Sequence, residues 1–363
     1  MLCVAFLVDS MVPSSIYATT SSCLRIVAIA AGICCAILLA IALGISIGET
    51  QISVQTVLQT LANKLLGSAY ALDLIDQGII WNYRLPRALV AASCGAGLAV
   101  SGVILQSLLR NALAEPYLLG ISAGASTGAV LVAVAGIGAG AISMTFGAFS
   151  GAVFAFALVA LLAHYAGRGG LRNSGQIVLA GIAGSQLFNA LTSLIITKSG
   201  SAEQARGIMF WLLGNLSAVR WPDTGLALTV AVIGVAICAL HARALDAFTF
   251  GSEAAASCGI AVRRVQLVLL LTAALVTAVM VSVVGAIGFV GLVVPHAARL
   301  LLGPKHRRLI PACALIGAVF LIAADVVSRI LIPGQVLPIG VITALVGAPA
   351  FAFILLKGRG NQA

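Results

Sequence analysis

The 363 residues are 61% hydrophobic and only 8% charged, with a mean hydropathy of +1.15. So few charges cannot cover the surface of a soluble protein of this size, which excludes a water-soluble globular domain and indicates a chain that folds in a lipid bilayer. The net charge of +10 could suggest a nucleic-acid partner, but Lys and Arg are spread between apolar runs and form no basic face, so we expect no nucleic-acid binding.

The first 24 residues contain the short apolar run LCVAFLV, without the positively charged region of a secretory signal. We expect residues 1–24 to be a poorly ordered N-terminal leader, upstream of an alternative start at Met11. Residues 25–360 are then expected to form a single transmembrane domain.

Apolar runs long enough to cross a bilayer follow along the chain, since a helix needs about 20 apolar residues for one crossing. Five are single runs bounded by polar residues, at 26–48, 88–109, 176–197, 224–243 and 337–356. The predicted fold is therefore an all-α polytopic membrane protein with about ten transmembrane helices.

The remaining spans come from longer uncharged stretches. Residues 117–163 are predicted to form two helices joined by the turn GIGAGAIS at Gly136 to Ser143. The stretch from Val265 to Ala298 predicts two shorter spans meeting at GAIGFVG, with one span plus a re-entrant segment as the alternative. A ninth span runs from Ile310 to Ile330.

The distribution of Lys and Arg predicts the orientation, because cytoplasmic loops are enriched in both. With the N-terminus inside, thirteen of the 20 Lys and Arg residues lie on the cytoplasmic side and seven outside. We expect both termini in the cytoplasm.

Energy coupling is constrained by two features. The chain has no GxxxxGK[ST] phosphate loop, so we expect no nucleotide site and no enzymatic activity. Ion coupling would need an acid within the membrane. Asp325 is the one acid in such a position, and Arg329 lies four residues on, at the spacing of an intrahelical ion pair.

The segment WNYRLPRALV lies at the outer end of the second span, with Pro86 in the first helical turn. Arg84 and Arg87 share a helix face and could bind carboxylates of a docking protein, or extend to lipid headgroups instead. Trp81 and Tyr83 are typical of interfacial anchors.

The longest charged internal segment runs from His241 to Val265. Gly251 is expected to break the chain, Ser252 to cap a short helix, Glu253 to complement its dipole and Gly259 to end it. Such a surface helix could bind a partner protein, although a simple connector is the alternative.

A polar stripe follows the span 176–197, where small or polar residues recur at helical spacing. Its members are Gly181, Ser185, Asn189, Thr192 and Ser193. The stripe either packs against another helix or lines a watery path, and the residues alone leave both open. By contrast, the GxxxGxxxG pattern at Gly120, Gly124 and Gly128 predicts helix packing.

No pattern predicts chemistry within the chain. The histidines His164, His241, His296 and His306 show no metal-ligand spacing, and no arrangement of a nucleophile with a base is visible. We therefore predict no catalytic residue and no metal site.

Several strings together resemble the permease family of ABC importers for ferric siderophores, haem and cobalamin. They are RLPRALVAASCGAGLAVSGVILQSLLRNALAEPYLLGISAGA, LDAFTFGSEAAASCGI, GAIGFVGLVVPHAARLLLGPKHRRLIP and AADVVSRI followed by LPIGVITALVGAPAF. The resemblance covers roughly residues 80–356. One departure is Ala112, where the family usually has proline.

The resemblance implies a ten-helix subunit of the bacterial inner membrane that pairs with a second copy of itself. It implies two cytoplasmic ATPase subunits, which bind ATP and magnesium, and a periplasmic substrate-binding protein, with no cofactor bound by this chain. Arg84, Arg87 and Arg329 would dock the binding protein. The segment Gly251, Ser252, Glu253, Ala254 and Ala255 would contact the ATPase, and the polar stripe would line the translocation pathway at the dimer interface.

The expected function is thus transport of an iron chelate (haem or a ferric siderophore) or cobalamin from periplasm to cytoplasm, driven by ATP. An ion-coupled secondary transporter is the main alternative and would require Asp325 to titrate. A membrane receptor or scaffold has no support in the sequence.

Overall fold

The computed structural model describes residues 32–48, 50–135, 143–166, 174–198 and 201–359, and within these ranges the regular structure is helical. The predicted leader 1–24 lies outside the described residues, as does most of the turn GIGAGAIS. In chain order the helices are α1 Gly32–Ser46, α2 Val54–Leu66, α3 Leu74–Leu108, α4 Ile121–Ala135, α5 Met144–Ala166, α6 Ser174–Thr197, α7 Ala202–Leu212, α8 Trp221–Leu240, α9 Ala242–Phe248, α10 Ser252–Ser257, α11 Val262–Val284, α12 Val290–Leu302, α13 His306–Ile330 and α14 Ile339–Arg359.

The predicted all-α multi-pass architecture is confirmed. Within the described part of the chain, six helices are long and apolar enough to cross a membrane: α3, α5, α6, α8, α11 and α13. Four shorter apolar helices, α1, α4, α12 and α14, fall on the other predicted spans. Each of the ten apolar runs in the sequence therefore corresponds to a helix.

Helix α3 is the centre of the bundle. It packs against α8, α11, α12 and α13, and 89% of its apolar stretch is buried. Small residues permit this crowding, because they let helix backbones approach closely. A Cβ atom at Gly95 would overlap the carbonyl of Gly317 on α13, and one at Gly102 would overlap the carbonyl of Gly291 on α12.

The start of α3 extends further than predicted. Pro86 lies in the first turn of its α-helical part, as expected, but the helix already begins at Leu74 and passes through a π-helical turn at Ile79–Arg84. In that turn the Leu85 N–H donates to the Ile80 carbonyl, five residues back. This wider turn accommodates the missing N–H of proline without ending the helix.

Glycines also join α4 to α5. Cβ atoms at Gly124 and Gly128 would overlap the carbonyls of Gly151 and Gly147 respectively. The packing role predicted for these two glycines is confirmed. Gly120, by contrast, lies before α4 with a φ of +74° and ends the 3-10 turn Pro116–Leu119.

The stretch 265–298 forms one full-length helix and one half-length helix. Helix α11 has 23 residues, enough for a complete crossing, whereas α12 has 13. At 1.5 Å per residue, α12 spans about 20 Å, short of the roughly 30 Å hydrocarbon core. Residues 285–289 between them are not helical.

The backbone of this break is paired with other parts of the protein. The Tyr117 hydroxyl donates to the Ile287 carbonyl and accepts from the Ile287 N–H, and the Asn215 N–H donates to the Val284 carbonyl at 2.8 Å. Nearby, burial raises the pKa of the Glu115 carboxyl, and an N–H donated by Phe289 partly offsets that rise. Irregular backbone within a membrane protein needs such internal partners.

The glycine contacts at α3 predict a specific sensitivity to one added methyl group. We expect Gly95→Ala to lower the thermal unfolding midpoint of the detergent-solubilised chain, since overpacking costs about 1–3 kcal/mol. Gly225→Ala in α8 is the matched control, because a Cβ there meets nothing within 4 Å. Equal midpoints for the two variants would contradict the close approach of α3 and α13.

Candidate functional site

Charged side chains gather at the two ends of the α3–α13 pair. We call the end that holds Arg84, Arg87, Asp325 and Arg329 the arginine end, and these four residues the arginine cluster. The opposite end holds His306 and the segment between α8 and α11, and we call it the histidine end. The two helices run antiparallel, so both reach from one end to the other.

Arg84 is buried and binds the end of α1. Its guanidinium donates to the carbonyls of Ile45 at 3.0 Å and Ser46 at 3.3 Å, and also to the carbonyl and hydroxyl oxygens of Thr50. The side chain is 6% exposed. In this chain, Arg84 therefore points into the protein rather than toward lipid headgroups.

Arg329 completes the same helix end. It donates to the carbonyls of Gly44 at 2.9 Å and Ile47 at 2.7 Å. The Leu43 carbonyl accepts from the Ile47 N–H. The last four carbonyls of α1, which a helix leaves without internal partners, are thus all bonded, and two positive charges lie at the negative end of the α1 dipole.

Asp325 joins the cluster together. The ion pair predicted between Asp325 and Arg329 is confirmed, at 3.1 Å. The sequence did not reveal the second partner, Arg87, whose Nε donates to Asp325 Oδ1 at 2.7 Å across α3 and α13. Asp325 is 1% exposed, so one carboxylate bridges two guanidinium groups inside the protein.

The three arginines proposed for docking thus lie together, but they differ in access. Arg84 and Arg329 are buried, whereas Arg87 is partly exposed and its second nitrogen donates to the exposed Ser217. The cluster as a whole contains three guanidinium groups and one carboxylate. The cluster therefore carries an excess of positive charge, which attracts carboxylates. Arg87 is its most accessible member and so the one best placed to bind an external carboxylate. The docking role itself stays a prediction.

Aromatic residues next to Arg84 in the sequence contact the start of α8. Trp81 packs against Trp221 with ring centroids 5.0 Å apart. The Arg220 guanidinium lies 4.6 Å above the ring of Tyr83, a cation–π contact. The aromatic residues expected to anchor the chain at a membrane surface therefore also hold the start of α8 against α3.

The segment 241–261 at the histidine end folds into the two short helices α9 and α10. Ser252 does not cap α10 as predicted; Gly251 has the cap position, with a φ of +110° that a side chain would oppose, and Ser252 is the first helical residue. Gly259 ends the helix as predicted, with φ +79° and hydrogen bonds from Gly259 to Ala256 and from Ile260 to Ala255.

Helix α10 is placed at the surface, with Glu253 exposed and Ala255 fully buried. It packs against α9 and α11. A face of α10 is therefore available to a partner, while its other face is fixed to the bundle.

The polar stripe on α6 divides between packing and exposure. Gly181 packs against the carbonyl of Leu118, and the Thr192 hydroxyl lies 2.8 Å from that of Thr127. Ser185 is half-buried near Gly120, whereas Asn189 and Ser193 are exposed. Only 22% of the apolar stretch of α6 is buried, so most of the helix faces outward from this chain.

Three side chains at the histidine end form a hydrogen-bonded row that the sequence did not predict. His306 Nδ1 lies 2.7 Å from Asp246 Oδ1, and His306 Nε2 lies 2.7 Å from the Ser107 hydroxyl. Ser107 and His306 are 199 positions apart, so no local pattern could have connected them. A serine, a histidine and an aspartate in this order are also the parts of a catalytic triad. Here, however, His306 is 1% exposed and the Ser107 hydroxyl lies 2.8 Å from the Val103 carbonyl, so a substrate has no access to the serine.

Removing the bridging carboxylate should destabilise the arginine end. We expect Asp325→Ala to lower the free energy of unfolding by about 3–5 kcal/mol, because it leaves the buried Arg329 and the partly exposed Arg87 without their counterion. Thermal unfolding in detergent measures this effect. The control is Glu203→Ala, an exposed acid on α7, and a loss no larger than that of the control would exclude a stabilising role for the cluster.

Comparisons with known proteins agree with this architecture. A sequence profile of the FecCD transport family matches residues 35–357. The chain is 42% identical over 279 residues to the cobalamin import system permease protein BtuC of Halobacterium salinarum, covering 77% of this chain and 73% of that one. It is 36% identical over 288 residues to the hemin transport system permease protein HmuU of Yersinia pestis, covering 78% and 85%.

A solved structure is similar over nearly the whole chain. It is described as an inward-facing conformation of an ABC transporter of the metal-chelate type, with a TM-score of 0.74 and 30% identity. The match covers 90% of this chain and 98% of that chain. With the family profile, these relatives establish that the chain belongs to the FecCD transport family and is a multi-pass ABC transporter permease.

Proposed function

We propose that this chain is the membrane subunit of an ATP-driven importer for cobalamin, haem or a ferric siderophore. The observation that supports the proposal best is that α3 and α13 join a positively charged face at one end to a surface helix at the other. A permease with separate partners on the two sides of a membrane needs both features. Relatives named for cobalamin and hemin import support the substrate class.

The two ends receive different partners in this proposal. A periplasmic binding protein docks at the arginine end, where Arg87 offers hydrogen bonds to a carboxylate. The segment Gly251–Ala255 contacts a cytoplasmic ATPase, which binds ATP and magnesium. Both chain termini are then cytoplasmic, in keeping with the excess of Lys and Arg on that side.

A second copy of the chain completes the pathway. Helix α6 is long enough to span the membrane and leaves most of its apolar stretch uncovered, with Asn189 and Ser193 on the exposed surface. Two copies that meet near α6 would enclose a channel with hydrogen-bonding groups. Since these side chains are small and uncharged, we expect weak contacts with substrate and assign selectivity to the binding protein.

The mechanism proposed on these placements is alternating access. ATP binding draws the two ATPase subunits together, α10 transmits the motion, and the paired α6 helices open or close the pathway. The chain contributes shape and coupling, and the ATPase supplies the energy.

Ion coupling is less well supported. A carrier of that kind needs an acid that binds and releases its ion during transport, whereas the Asp325 carboxylate is 1% exposed and paired with both Arg87 and Arg329. Protonation of this carboxylate would leave two guanidinium groups without a counterion. The geometry therefore favours a structural Asp325.

Uptake into proteoliposomes tests the proposed function. The chain is reconstituted with its ATPase and binding protein, and accumulation of haem, ferrichrome and cyanocobalamin is measured with and without ATP. We expect ATP-dependent accumulation of one of these probes. The control contains an ATPase subunit that cannot hydrolyse ATP, and uptake that follows an ion gradient without ATP would refute the proposal.

Docking at the arginine end has its own test. We expect Arg87→Gln to weaken binding of the substrate-binding protein to the reconstituted transporter and to reduce the salt dependence of that binding, because one charge-assisted contact is removed. Titration of the labelled binding protein at several salt concentrations measures both effects.

The matched variant for docking is Lys64→Gln, an exposed cation on α2 outside the cluster. We expect it to retain the wild-type affinity. The same affinity for Arg87→Gln, with its thermal stability unchanged, would remove Arg87 from the docking surface.

A further inference from the structure

Helices α3 and α13 are connected by polar contacts at both ends. At the arginine end, Arg87 on α3 binds Asp325 on α13 at 2.7 Å. At the histidine end, the Ser107 hydroxyl on α3 lies 2.7 Å from His306 Nε2 on α13. Between them, Gly95 and Gly317 let the backbones touch, so the pair forms one continuous unit from end to end.

Asp246 attaches the segment 241–261 to this unit. Its Oδ1 lies 2.7 Å from His306 Nδ1 and accepts the His306 backbone N–H at 2.9 Å. His306 is the first residue of α13, so this carboxylate also satisfies a free N–H at the positive end of a helix. Asp246 lies on α9, which packs against both α3 and α13.

The carboxylate of Asp246 determines which ring nitrogen of His306 carries a proton. A carboxylate can only accept, so His306 Nδ1 carries the proton toward Asp246. With Nδ1 protonated, Nε2 of the neutral ring is an acceptor, and the single proton of the Ser107 hydroxyl is shared between Nε2 at 2.7 Å and the Val103 carbonyl at 2.8 Å. Both ring nitrogens of His306 are used, each toward a different element.

We propose that His306 is a positioning residue for transport, which makes α9 and α10 move together with the α3–α13 pair. A displacement of α10 by the ATPase then reaches the arginine end through Asp246, His306 and the two long helices. This inference rests on the proposed ATP-driven import. Leu245, Phe248 and Ala255 also pack into the apolar core, and the Asp246–His306 contact adds the polar link from this segment to the first residue of α13.

The test is the amount of substrate transported for each ATP hydrolysed by the complete reconstituted transporter, using the probe that the wild type accumulates among haem, ferrichrome and cyanocobalamin. We expect Asp246→Ala and His306→Ala each to lower this ratio by about fivefold or more, as is typical of lost coupling between sites. ATP hydrolysis itself continues. The double variant should lose no more than either single one, because the two residues act as a unit.

Two variants separate positioning from general destabilisation. Asp246→Asn keeps an oxygen that accepts from His306 and should retain most of the wild-type ratio. His241→Ala, in the same segment, removes a ring that bonds to the Ile237 carbonyl of its own helix, and should leave the ratio unchanged.

The outcomes are distinct. Wild-type uptake that ignores ATP overturns the proposed function and the role of His306 with it. ATP-driven wild-type uptake with an unchanged ratio in Asp246→Ala and His306→Ala overturns the role of His306 alone. An equal fall in the ratio for His241→Ala also overturns it, because the effect would then belong to the segment in general.

Discussion

Every backbone polar group within a bilayer needs a partner inside the protein, and this requirement organises the described structure. Where a helix runs without interruption, its own hydrogen bonds suffice. Two of the places in the described structure where helices end or break show distant side chains supplying these partners. At the end of α1, Arg84 and Arg329 bind the free carbonyls. At the break after α11, Tyr117 serves both backbone groups of Ile287.

The arginines consequently have two kinds of partner. A guanidinium group has five donors in a planar fork, so Arg329 can bind α1 carbonyls and Asp325 together. Asp325 compensates part of the buried positive charge and connects α13 to α3 through Arg87. Structural stability and the proposed docking surface thus depend on the same four side chains, and a partner's carboxylate would approach groups that are already held in place.

Helices α3 and α13 form the frame on which the other elements are arranged. Their contact is close because glycines face each other at its centre, and polar contacts connect them at both ends. Helix α6, in contrast, is packed along one face only. A rigid central pair and a largely uncovered outer helix are what a dimeric transporter would need to move one element against a second copy while the frame transmits force.

Much of the fold could be predicted from the sequence because each span is a local run of apolar residues. The ten runs, the glycine packing of α4 with α5 and the Asp325–Arg329 pair depend on spacing within one helix, and the structure confirms them. Resemblance to a permease family could also be read directly, since its motifs are continuous strings that include the arginines proposed for docking and the segment around Gly251.

Contacts between distant segments were decided by the tertiary structure alone. Arg87 and Asp325 are 238 positions apart, and Ser107 and His306 are 199 apart; neither pair leaves a local pattern. The split of the α6 stripe depends on which of its residues meet α4 and α5. The break before the half-length helix α12 depends on the pairing of Ile287 with Tyr117 and of Val284 with Asn215. Apolar length determines where a helix can cross a membrane, but partners for buried charges and broken backbone exist only once the helices have packed.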